Sequence, residues 1–175
     1  MLTMLALLVA LQAPCVPDCP TSRAHIQSVD HTQGKACPSC AVGIDVCFRL
    51  CRPCAAAKGV CPGCGGKSIE ATTWKDVDGP AGIRLLQEKE FSIVAIVQGV
   101  VLESQKARLV AVQEFDDRMV LTYATRTPQC GTEPQALDAL YVKVPRTSKR
   151  WVVRHAHTTV PRGLTMSTAA EFPAR

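Results

Sequence analysis

The residues with the clearest chemical capacity are cysteines, and their spacing is the first signal. The central stretch holds Cys37-Pro-Ser-Cys40, Cys47, Cys51-Arg-Pro-Cys54 and Cys61-Pro-Gly-Cys64-Gly-Gly. Three C-x-x-C pairs follow the pattern C-x2-C-x10-C-x2-C-x6-C-x2-C. Such a pair bends into a knuckle that offers two thiolates to one metal ion. Two pairs complete the four-sulfur tetrahedron that structural zinc prefers. Proline after the first cysteine and glycine around the second suit the tight turn. Six cysteines fill one four-ligand site and half of a second, and Cys15, Cys19 and Cys47 are available for the missing two. One arrangement puts Cys37, Cys40, Cys51 and Cys54 on one ion, with Cys61 and Cys64 on another. The spacing also admits Cys37/Cys40 with Cys61/Cys64. No ligand set leaves an open coordination position, so one or two closed structural zinc sites are expected. Two rival chemistries use the same residues. In an exported chain, oxidation would make disulfides. A redox-active Cys61-Pro-Gly-Cys64 would need a lowered thiol pKa, usually from a helix N-terminus in a strand–helix setting, and no strand pattern precedes Cys61.

The run Leu50-Cys-Arg-Pro-Cys-Ala-Ala-Ala-Lys-Gly-Val-Cys-Pro-Gly-Cys-Gly-Gly-Lys67 resembles the end of the cysteine-rich PDZ-binding (CRIPT) family. That family has a C-x-x-C-A-x-K-K-G-[IV]-C-x-x-C-G-K stretch preceded by another C-x-x-C at nearly this distance. The resemblance covers Cys37 to Lys67. It implies a small zinc-binding, zinc-ribbon-like module with Cys37, Cys40, Cys51, Cys54, Cys61 and Cys64 as ligands. It does not imply PDZ binding, which that family performs with a C-terminal tail; this chain ends Glu-Phe-Pro-Ala-Arg.

The elements that must position these residues divide the chain. Nine of the ten cysteines lie between Cys15 and Cys64, and the 111 residues after Cys64 hold only Cys130. One fold rarely distributes cysteine so unevenly, and a metal- or disulfide-held scaffold is expected before Gly65-Gly66. Its core is too small to fold unaided, so metal or crosslinks must stabilise it. Val46, Phe48 and Leu50 are the expected packing residues, and Pro53 argues against a long helix through Cys47, Cys51 and Cys54. Met1–Ala13 is an uncharged apolar run, too short to span a bilayer and suited to a signal peptide. Cys15 follows that run as a lipoprotein cysteine would, but Pro14 stands where Gly or Ala is usual. The expected organisation is a signal peptide at 1–13, a Cys-rich module at 14–66, a linker at 67–80, a β domain at 81–160 and a tail at 161–175. Export to the periplasm or medium follows from that leader, with a cytoplasmic location as the alternative.

After the linker, Pro80–Glu90 is a short helix candidate, with Ile83, Leu85 and Leu86 as its apolar side. The period then changes to two. Phe91–Val97, Ala107–Glu114, Arg118–Thr125, Leu140–Pro145 and Arg150–Arg154 read as strands, with a hairpin turn at Asp116-Asp117. Strands without alternating helices favour a mainly antiparallel sandwich or small barrel with one short helix. Val94, Ile96, Leu109, Val120, Leu121, Val142 and Val144 are its expected core. Residues 118–153 resemble the C-terminal domain of the PrcB family, accessory subunits of secreted bacterial protease complexes. The likeness rests on Thr125-Arg-Thr-Pro-Gln-Cys130, Gln135-Ala-Leu-Asp-Ala-Leu-Tyr141-Val-Lys-Val-Pro-Arg146 and Lys149-Arg-Trp-Val-Val. It implies an exported β domain with a binding or assembly role, and not catalysis.

No nucleophile elbow, P-loop, dinucleotide fingerprint or H-E-x-x-H motif occurs in the chain. His155-Ala-His157 is at most a metal pair lacking further ligands, and exposed strand-end histidines are the plainer reading. Cys130 is expected to be structural. Net charge is +5, and aromatics total 5%, so neither a nucleic-acid surface nor a base-stacking platform is supported. Lys143, Arg146, Lys149, Arg150, Arg154 and Arg162 form a basic stretch, read first as a solvated sheet face. The sequence thus points to a non-enzymatic zinc-binding protein whose β domain binds a protein partner or assembles an exported complex. A disulfide-stapled secreted binding protein and an intracellular zinc-ribbon adaptor are the alternatives. Membrane contact is expected only if the N-terminal segment is retained or lipidated.

Overall fold

The computed structural model describes residues 34–45, 48–76, 79–126, 133–159 and 163–174. The expected signal peptide, Cys15, Cys19, Val46, Cys47, Cys130 and Arg162 lie outside them. Eleven strands and one α-helix are present among the described residues.

The cysteine-rich module is built from local turns. Strands β1 (Gly34–Ala36) and β2 (Gly43–Asp45) pair antiparallel, with Ala36 opposite Gly43, and the Cys37–Cys40 turn closes this ribbon. Helix α1 (Arg52–Lys58) begins at Cys51, with Pro53 in its first turn, where a missing N–H costs nothing. Gly59 ends it in the left-handed conformation (φ 63°), and its N–H reaches the Ala56 carbonyl at 3.0 Å. Lys58 complements the helix's negative end. The helix is short, as Pro53 suggested. Buried Leu50 and Ala55 pack with Cys37 and Cys51, flanked by Ile44, Cys54 and Val60. Cysteine supplies half of that buried group, so the module's cohesion depends on what its sulfurs do.

The rest is two facing sheets. Strands β3 (Lys67–Ser68), β7 (Arg108–Glu114), β8 (Arg118–Thr125), β10 (Arg150–Thr159) and β11 (Gly163–Phe172) form one sheet, in the order β11-β10-β8-β7-β3. Strands β4 (Thr72–Trp74), β5 (Gly82–Gln87), β6 (Phe91–Leu102) and β9 (Gln135–Pro145) form the other, in the order β4-β9-β6-β5. Alternate residues of both sheets meet in one core: Val94, Ile96, Leu140, Val142 and Val144 from one side, Val112, Met119, Leu121, Trp151 and Val153 from the other. Each fully buried aliphatic side chain there contributes about 1.5–3 kcal/mol. The arrangement is an open sandwich; neither sheet closes into a barrel. Pairing is mainly antiparallel, and β8 with β10 is parallel. That pair requires a crossover, which β9 provides in the opposite sheet.

Four expectations change. Pro80–Glu90 is not a helix: β5 occupies it and pairs with β6, placing Ile83 opposite Ile96 and Leu85 opposite Val94. Ile83 and Leu85 face the core two residues apart, Leu86 is left exposed, and Gly82 (φ 131°) has no helical backbone. Short apolar runs fit either period, and the neighbouring strand decides. The 67–80 segment is no plain linker, because β3 and β4 pair with different sheets. Residues expected as a tail carry β11, which pairs along β10. Finally, Val120 is buried but lies on the outer face of its sheet, since Met119 and Leu121 face inward. Among the described residues no helix is long and apolar enough to cross a membrane.

Candidate metal centre

Two elements bring four of the six cysteines together. The first knuckle supplies Cys37 and Cys40. The Ala41 N–H donates to the Cys37 carbonyl at 2.8 Å, and the Cys37 N–H to the Val42 carbonyl at 2.8 Å. The start of α1 supplies Cys51 and Cys54. The four Sγ atoms lie within 4.8 Å of one another. Tetrahedral thiolates around zinc, at Zn–S distances of about 2.3 Å, stand about 3.8 Å apart. The set fits such an ion after a contraction of about 1 Å. Cys40 and Cys51, at 3.4 Å, would instead part by about 0.4 Å. Cys37 and Cys51 are buried, Cys54 is half-buried and Cys40 is exposed, so the cage has one wet side.

The protonation of these thiols is uneven. The Cys51 N–H donates to Cys37 Sγ at 3.4 Å. That bond holds the Cys37 pKa down to about 6, against the opposing effect of burial. Cys54 is pushed up to about 12 by its hydrogen bonds with the Cys51 and Cys40 thiols. Cys40 feels a lowering pull from the Val42 N–H, which the Cys51 thiol and burial outweigh, so it ends above its ordinary value. One acidic thiol among neighbours that share its charge through S–H···S contacts is what a cluster of close thiols produces before a cation compensates it.

Cys61 and Cys64 stand apart from this set. They form a second knuckle with the same hydrogen-bond frame. The Gly65 N–H donates to the Cys61 carbonyl at 2.8 Å, and the Cys61 N–H to the Gly66 carbonyl at 2.9 Å. Both thiols are buried, beside Phe115. Cys64 Sγ accepts the Gly66 N–H at 3.4 Å and the Gln113 side-chain amide at 3.3 Å. The second knuckle therefore sits against the sandwich. Of the two pairings open to the sequence, the structure joins Cys37/Cys40 with Cys51/Cys54. Cys61 follows the glycine-capped end of α1 and not a strand, so the strand–helix setting of a redox-active dithiol is not present there.

The other polar candidates serve the fold. His155 stacks on Tyr123 with ring centres 4.8 Å apart, and its Nε2 is 2.8 Å from Thr125 Oγ1. Burial, then the neighbouring His157, lowers the His155 pKa. The two histidines are half-buried, not exposed strand-end residues. Asp117 sits in the β7–β8 turn, where Arg150 and then Arg118 hold its carboxyl below the usual range. Much of the basic stretch is engaged: Lys149 reaches Glu114 at 2.9 Å, Arg150 reaches Asp117 at 3.0 Å, and Arg146 donates to the Glu88 carbonyl at 3.0 Å. Two contributors escaped sequence reasoning. Gln113 reads as the polar side of an alternating strand, yet it is only 3% exposed. Asp138 falls within a strand and is buried, with Lys75 Nζ at 2.6 Å and the Ala107 N–H at 2.7 Å.

No protein-family model matches the chain, and neither a curated protein nor a solved structure does.

Proposed function

We propose that this chain is a non-enzymatic zinc-binding protein whose metal stabilises the cysteine-rich module, and whose sandwich mediates protein interaction or assembly of an exported complex. The observation that carries the metal reading is the convergence of Cys37, Cys40, Cys51 and Cys54 Sγ within 4.8 Å. Four soft thiolates without a carboxylate or imidazole select zinc over calcium, magnesium or manganese. With four protein ligands the site is closed, so the ion crosslinks the β1–β2 ribbon to α1 and leaves no position for substrate. The same reading extends the ligand set to Cys61 and Cys64, on a second ion. The shared backbone frame of the two knuckles and the resemblance of residues 37–67 to the CRIPT family support this.

The assembly role rests on the sandwich surface. Val100 and Leu137 lie directly opposite each other on β6 and β9, and they are 64% and 55% exposed. An exposed apolar cross-strand pair suits a contact with a protein partner. The resemblance of residues 118–153 to the PrcB family supports the same role. The apolar leader supports a periplasmic or secreted location.

Metal analysis of the purified full chain, combined with free-thiol counting, tests the proposal. One or two zinc ions per chain, with thiols that become reactive on chelation, are expected. No metal together with no free thiols would replace it with a disulfide-stapled protein.

A further inference from the structure

The four sulfurs of the first cage are not equally open to a reagent. Cys37 and Cys51 are only 1% and 9% exposed, and Cys54 is half-buried. Of the four, only Cys40 is exposed. Bound to zinc, all four are thiolates, so access and not protonation chooses among them. The neighbour that Cys40 meets is also defined: its Sγ lies 3.4 Å from Cys51 Sγ. A disulfide needs about 2.05 Å, so the two sulfurs must close by about 1.4 Å. The pair spans two elements. Cys40 ends the first knuckle, where the Ala41 N–H donates to the Cys37 carbonyl at 2.8 Å, and Cys51 stands at the start of α1. A Cys40–Cys51 bridge therefore joins the β1–β2 ribbon to α1, as the ion does. A bridge within either C-x-x-C pair would not.

We propose that Cys40 is an oxidation site for hydrogen peroxide, with Cys51 as the resolving thiol, and that their disulfide replaces the ion as the module's crosslink. This rests on the reading of Cys37, Cys40, Cys51 and Cys54 as zinc ligands. The Cys40 thiolate attacks the O–O bond: an S–O bond forms and hydroxide leaves. The Cys51 thiolate then attacks the Cys40 sulfur: the S–S bond forms, the S–O bond breaks and a second hydroxide leaves. Two electrons pass from the two sulfurs to the peroxide. Zinc is left with Cys37 and Cys54, half of its tetrahedral shell, and dissociates. The module is thus held by an ion under reducing conditions and by a covalent bond under oxidising ones.

The test treats the full, zinc-loaded chain with one equivalent of hydrogen peroxide in the presence of a chromophoric zinc indicator. Zinc release should accompany bridge formation, and non-reducing peptide mapping should place the first bridge at Cys40–Cys51. A 1,3-diketone present during oxidation should label Cys40 ahead of the other three. Cys51→Ser should abolish the bridge and raise the Cys40 label; the wild-type mapping stands without it if that variant does not fold. The oxidised, zinc-free chain should keep amide-exchange protection in α1 and lose it when a dithiol is added with a chelator. A first bridge at Cys37–Cys40 or Cys51–Cys54, a first label on a sheltered cysteine, or an unprotected α1 in the bridged chain overturns this inference and leaves the zinc reading intact. A purified chain with no zinc and no free thiols overturns the zinc reading, and this inference with it.

Discussion

Ala41 and Gly65 occupy the same place in the two knuckles: each follows the second cysteine, each adopts a left-handed backbone (φ 60° and 77°), and each donates its N–H to the first cysteine's carbonyl at 2.8 Å. One knuckle uses glycine, for which that conformation is unstrained. The other uses alanine, whose Cβ crowds the backbone there at a cost of about 1–2 kcal/mol. Ala41→Gly relieves this strain, less the greater entropy that glycine loses on folding. A net stabilisation of about 0.5–1 kcal/mol is expected, read as tighter metal retention in a chelator competition. Gly65→Ala should lose about 1–2 kcal/mol by the same crowding. Its Cβ would also meet Arg49 Cδ at 3.4 Å.

Removal of the metal should unfold the module while the sandwich remains. The module's buried group is half cysteine, whereas the sandwich buries Trp151, Leu121, Val142 and Val153 independently. Cys54→Ser, or chelation of the wild type, is expected to abolish amide-exchange protection in α1 and leave β6 and β9 protected. Simultaneous loss of protection in both would contradict two separable cores.

Asp138 is a carboxylate buried between Lys75 and the Ala107 N–H. Asp138→Ala leaves that N–H unsatisfied and should cost about 2–3 kcal/mol, a fall in thermal midpoint on the order of 10 °C. Lys75 is half-exposed but the Asp138 side chain is fully buried, so Lys75→Met leaves a buried carboxylate without its cation and should cost more. Equal effects of the two substitutions in thermal unfolding would contradict this ranking.

Gly66→Ala probes the seam between the module and the sheet. Its Cβ would come within 2.8 Å of the Phe115 ring, so the ring must move or the knuckle must lift. A loss of about 1–3 kcal/mol is expected, with greater proteolytic susceptibility between the module and β3. Unchanged proteolysis would show that the ring simply turns aside.

The cysteine-rich module, its three C-x-x-C pairs and the hairpin around Asp116-Asp117 were legible from the order of residues alone. These features are local: a knuckle needs two cysteines and a tight turn, and alternation shows whichever strand lies alongside. Which pairs converge was settled only in three dimensions. C-x-x-C spacing is the same for every knuckle, so the fold of the β1–β2 ribbon onto α1 is what selects Cys51/Cys54 as partners of Cys37/Cys40. Long-range pairing also made Gly82–Gln87 a strand, because the ladder with β6 outweighs a weak helical pattern. Gln113 and Asp138 were invisible for a related reason: a polar residue in a strand reads as solvent-facing until the group that covers it is known.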